Sequence, residues 1–148
     1  MKITIGRIDK ADFPKLILED IDLKIDSGAY TSSIHCSDIE EITIDNESFI
    51  KFTLLDPEHP FYNNKEFTSK NYTSKIVKSS NGISEKRFMI QTEITIFNTT
   101  FPIYLTLSER KDMKFPILLG RKFLNKKFLI DTSKTNLSYK LKYTNKWE

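Results

Sequence analysis

A chain of 148 residues with a net charge of +3 is long enough for one domain with its own core. Its lysines are spread along the sequence rather than clustered, so nucleic-acid binding has no support. No long uncharged apolar run is present, which excludes a transmembrane helix, and the one cysteine, Cys36, excludes an intrachain disulfide.

Taken in chain order, residues 1–6 read as an opening strand without the apolar core or small-residue cleavage site of a signal peptide. With the lone thiol, this points to a reducing cytoplasm. Residues 17–25 carry partial period-two alternation, with Ile17, Ile21, Leu23 and Ile25 on one face and Glu19 interrupting it. That half-buried strand runs directly into Asp26-Ser27-Gly28. A second alternating stretch covers residues 42–54, with a turn at Asp45-Asn46. Asp56, Pro57, Pro60, Asn63 and Asn64 are breaker signals, and residues 56–71 read as a loop.

Residues 72–78 and 83–96 are strand-like and flank Ser79-Ser80-Asn81-Gly82, an Asn-Gly hairpin signal. A turn at Asn98-Thr99-Thr100 leads into residues 101–107. Residues 115–121 form a short apolar strand ending at Gly120, and residues 121–127 have helical spacing of Phe123, Leu124 and Phe128. Residues 129–131 read as a closing strand. Strand-rich composition, no repeat and no internal boundary predict one all-β domain over residues 1–148, a small closed barrel.

Asp26-Ser27-Gly28-Ala29 carries the chemistry. Asp-Ser-Gly alone is a common turn sequence. Here an apolar strand delivers the Asp to a tight turn, and about ninety residues later a second apolar strand ends in Leu118-Leu119-Gly120-Arg121, with the Asn-Gly hairpin between them. This order resembles the retropepsins, which carry Asp-Thr/Ser-Gly-Ala, then a flap hairpin, then an apolar-apolar-Gly-Arg segment before a short helix. The resemblance sharpens toward a bacterial branch often labelled "ATP-dependent zinc protease". Lys24-Ile25-Asp26-Ser27-Gly28-Ala29 with Thr31-Ser32-Ser33-Ile34-His35 is similar to that branch's Lys-Ile-Asp-Thr-Gly-Ala-x-Thr-Ser-x-Leu-His. Ser84-Glu85-Lys86-Arg87, the run from Leu107 through Arg110 and Met113 to Arg121, and Ile5-Gly6-Arg7 match further segments.

The resemblance implies a small closed six-stranded retropepsin-like (acid protease) barrel with one short helix, and an aspartic peptidase as the activity. Such chemistry needs two carboxylates sharing one proton, and this chain supplies one motif, so a twofold homodimer would bring Asp26 to its counterpart. Asp26, Ser27 and Gly28 are the expected catalytic set, with Ser27 bracing the dyad through its hydroxyl. Ala29 and Thr31 lie beside the site, and Ser80, Asn81 and Gly82 would close over substrate. Arg87 and Arg110 fit two roles equally: internal ion pairs or bidentate contact with a substrate carboxylate. Some relatives are associated with ATP-grasp ligases that add glutamates to a ribosomal protein. An acidic peptide or protein substrate would agree with Lys75, Lys78, Lys86 and Arg87 around the flap.

No metal and no cofactor is expected. The zinc candidates are His35, Cys36 and His59; the first two would point to opposite faces of a strand, and no His-Glu-x-x-His or phosphate-binding glycine loop is present. A non-catalytic dimerisation or binding module built on the same barrel is the alternative function, and a metal hydrolase a weaker third.

Overall fold

A computed structural model describes residues 1–78, 82–109 and 114–144. Six strands close into a barrel: β2 (Ile8–Phe13), β3 (Leu18–Ile25), β4 (Ser32–Ile44), β8 (Ser84–Ile96), β9 (Thr99–Ser108) and β10 (Ile117–Leu119). They pair in the order β10, β3, β2, β8, β9, β4, and β4 pairs back onto β10. Closure leaves no open edge within this ring. The expected six-stranded barrel is therefore present. Its core is filled by the inward residues of each strand, including Ile21, Leu23, Ile34, Ile94, Leu105 and Ile117, all essentially inaccessible.

The other strands are appendages. β5 (Glu47–Leu54) extends β4, β6 (Glu66–Ser69) extends β5, and β7 (Tyr72–Lys78) pairs with the first half of β8. β1 (Ile3–Ile5) and β11 (Phe128–Ile130) form a separate parallel pair. Two helices are present among the described residues, the single turn α1 (Arg121–Leu124) and α2 (Leu137–Thr144). None is long and apolar enough to cross a membrane.

Several sequence expectations need correction. Ile17 is not on the core face of β3. It takes a left-handed conformation, φ 56°, after a 3-10 turn at Pro14–Leu16, and is exposed. A second positive φ, 52° at Asp20, inserts an extra residue into the alternation, so Leu18 and Ile21 both point inward. The stretch 56–71 is not loop throughout: β6 pairs with β5, and Phe67 stacks on Phe52 at 5.8 Å. The turn after β8 is Phe97-Asn98, both at positive φ, because Ile96 pairs with Thr99 across a two-residue loop. The helix expected over residues 121–127 stops at Leu124, and the count of one helix becomes two.

The second helix is anchored by a buried carboxylate. Asp9 Oδ2 and Oδ1 accept the N–H groups of Ser138 (2.9 Å) and Tyr139 (3.1 Å), satisfying donors that a helix start leaves free. Near its other end Lys142 bonds Asp12 (3.0 Å) and Asp20 (2.8 Å), and the Tyr143 hydroxyl donates to Asp20. α1 is held from below by aromatic packing. Phe123 meets Phe128 at 5.7 Å and Phe101 edge-on at 5.8 Å, contacts worth about 0.5–1.5 kcal/mol each beyond their buried area.

Candidate active site

β3 and β4 flank the Asp26 turn, and β10 lies between them, parallel to β3 (Leu119 opposite Ile25) and antiparallel to β4 (Ile117 opposite Ile34). The turn must therefore cross two inter-strand spacings, roughly 10 Å, over the end of β10. Gly120 sits under this crossing. A Cβ there would lie 2.7 Å from the carbonyl oxygens of both Tyr30 and Thr31, so only glycine fits.

The backbone of the turn is fixed by the segment it crosses. Asp26 N–H donates to Leu119 O (2.9 Å), which carries the β10 ladder one residue past the strand. Arg121 N–H donates to Ala29 O and Lys122 N–H to Tyr30 O, both at 2.9 Å. Gly120 N–H donates to the buried Ser32 hydroxyl at 3.0 Å. Arg121 Nη1 donates to Ser27 O at 2.9 Å, and its guanidinium lies 5.8 Å from the Tyr30 ring centre. These contacts set the Asp26 side chain, which is half-buried. Oδ1 accepts the Gly28 N–H at 3.1 Å, and Oδ2 has no hydrogen-bond partner among the described residues. One carboxylate oxygen is oriented and the other is available.

Ser27 and Gly28 are exposed at the apex, Ala29 is half-buried, and Thr31 is exposed. Thr31 and Arg87 come together in the wall of a cleft of about 310 Å³ between the turn, β7 and β8. Arg87 makes only a loose contact there with Glu85, at 3.8 Å on the surface. Gly82 does not line this cleft; it is exposed at φ +84° with open space around it. Ser80, Asn81 and Arg110 lie outside the described residues. The hairpin itself is registered from Tyr72 opposite Ile90 to Lys78 opposite Ser84.

Sequence reading missed most members of the cleft, among them Tyr30 and Lys122. These two directly follow recognised motifs, Asp26 to Ala29 and Gly120-Arg121, so adjacency was the available signal.

His35, Cys36 and His59 do not fit a zinc centre. Both ring nitrogens of the buried His35 are engaged, Nε2 with Asp56 Oδ2 (2.7 Å) and Nδ1 with Ser108 O (3.2 Å). Burial pushes the Asp56 carboxyl up, but the His35 contact and the Glu58 N–H outweigh this and hold it below its ordinary range. Burial drives the Cys36 thiol well above its ordinary value, which disfavours the ligating thiolate. His59 Nδ1 accepts the Phe61 N–H. Among the described residues no three His, Cys, Asp or Glu side chains are grouped to hold an ion.

A family model described as "Retropepsin-like aspartic endopeptidase RimB" matches residues 4–140. The chain belongs to the RimB-like family. It is also 36% identical over 138 residues to a "Probable alpha-L-glutamate ligase" of Shewanella pealeana, covering 90% of this chain and 29% of that protein. A protein of the same description from Desulfotalea psychrophila is 34% identical over 134 residues, covering 88% and 28%. The chain thus spans under a third of the curated relatives it matches. Among solved structures, the protein Lpg0085 of unknown function from Legionella pneumophila shares the fold, with a TM-score of 0.69 at 22% identity over 93% of this chain and 99% of that one.

Proposed function

We propose that this RimB-like chain is an aspartic peptidase in which Asp26 of two subunits forms one catalytic dyad, and that its substrate is an acidic, glutamyl-rich peptide. The observation that carries the reading is the construction of the Asp26 turn: a half-buried carboxylate with one oxygen fixed by Gly28 N–H and the other available. Two such carboxylates a few Å apart cannot both ionise, so one stays protonated. The charged partner takes a proton from water as its oxygen adds to the scissile carbonyl carbon. The protonated partner gives its proton to the carbonyl oxygen. As the resulting diol collapses, the C–N bond breaks, one diol hydroxyl returns its proton to the charged carboxylate, and the leaving nitrogen takes up the proton of the other carboxyl, so the dyad again holds one proton.

Substrate class is supported by the cleft wall, where Lys75 and Lys122 have no carboxylate partner among the described residues and Arg87 has the loose surface contact with Glu85 at 3.8 Å. It is supported also by the relatives named alpha-L-glutamate ligase, of which a segment like this chain forms part. A hydrolase joined to such a ligase would act on the bond class the ligase makes.

Asp26→Asn tests this reading. It should abolish release of glutamate from an oligo-α-glutamyl peptide, followed by chromatography, while the thermal transition stays in place. Turnover unchanged by the substitution would leave the barrel as a binding module.

A further inference from the structure

The cleft beside the Asp26 turn does not end there. It shares Thr73 and Met89 with a second cleft of about 370 Å³, and Thr31 and Lys122 with a third of about 250 Å³. The second and third share Gln91 and Tyr104. Together they make one groove over the outer face of β8 and β9. In a chain with 20 acidic and 23 basic residues, no Asp or Glu lines any part of it. Lys70, Lys75, Arg87, Lys122 and Lys127 do line it, Lys70 being paired with Glu47 at 2.5 Å and Arg87 loosely with Glu85 at 3.8 Å. Lys75 and Lys122 have no carboxylate partner among the described residues.

Arg87, Met89 and Gln91 alternate along β8 and so face the same side, with Ile90 and Thr92 buried on the other. From Arg87 to Gln91 the strand rises roughly 13 Å, the span of about four residues of extended peptide. We propose that this groove binds several consecutive acidic side chains of an extended peptide, so that the chain selects acidic tails by length. The proposal rests on the peptidase reading above for its substrate and extends recognition well past the residue at the scissile bond.

A nucleic-acid strand fits less well. Single strands are held largely by bases stacked on aromatic faces. Here Lys122 Nζ already lies 4.4 Å from the Tyr104 ring centre, and Arg121 covers Tyr30. Carboxylates need only the ammonium and guanidinium groups.

The test uses the full chain carrying Asp26→Asn, so that bound peptide stays intact, and fluorescein-labelled α-glutamyl oligomers of two, four and eight residues. Anisotropy should show affinity rising steeply with length and falling with salt. Lys122→Ala and Arg87→Ala should each weaken the longest oligomer about two- to fivefold. Lys140→Ala, on the exposed side of α2, should not. Equal affinity for all lengths, no binding, indifference to both groove substitutions, or tighter binding of a single-stranded oligonucleotide would each overturn the proposal. Hydrolysis by the unsubstituted chain separates the two readings. Cleavage without length-dependent binding removes the groove and keeps the peptidase; length-dependent binding without cleavage does the reverse.

Discussion

A methyl group on Gly120 would press into two carbonyl oxygens at 2.7 Å, and those oxygens belong to Tyr30 and Thr31, the exit of the Asp26 turn. Backbone on both sides cannot swing away as a long side chain could. Gly120→Ala should therefore cost roughly 1–3 kcal/mol, the range for overpacking a filled site. Urea unfolding measures it, and a midpoint equal to that of the unsubstituted protein would show that the crossing is looser than described. Its φ of −96° is open to any residue, so space alone is the reason. The same crossing explains Arg121. Its guanidinium serves the turn through Ser27 O and the Tyr30 ring, and no carboxylate is within salt-bridge distance among the described residues.

At the scale of elements, α2 depends on charges buried beneath it. Burial pushes Asp20 up, but hydrogen bonds from Lys142 and Tyr143 pull it further down, leaving it below its ordinary 3.8. A carboxyl with a lowered folded-state pKa adds stability that is complete above its unfolded value. That stability is lost as pH falls through the folded value. The acid limb of the stability curve should thus lie below pH 3.8 for this group. Lys142→Met removes the main partner, so the limb should move to higher pH and stability at neutral pH should fall by about 1.5–3 kcal/mol. Denaturant titrations across the acid range read both effects, and superimposable curves for the two proteins would refute the assignment. This cluster also marks where sequence reading failed. β2 went unread because Asp9 occupies a core-facing position, breaking the apolar alternation with Ala11 and Phe13. α2 went unread because its one buried residue is Ser138, so it has no apolar stripe. β5, β7, β8 and β10 carried turn residues and alternation strong enough to place them, whereas of β4 only its last residues, 42–44, were read.

For the whole molecule, the barrel and the Asp26 turn were legible because family resemblance and strand alternation agreed on the same segments. The groove was not, because Lys75, Arg87, Tyr104 and Lys122 come from separate parts of the chain and meet only once the barrel closes. The central claim is that two copies of Asp26 act as one unit. Mixing the unsubstituted protein with Asp26→Asn at fixed total concentration, above the subunit dissociation constant, tests it most directly. With free exchange and random pairing, an equal mixture holds about a quarter of its dimers with both carboxylates, so hydrolysis should fall to about a quarter. A linear decline, to about half, would show that each Asp26 works alone and would contradict the shared dyad.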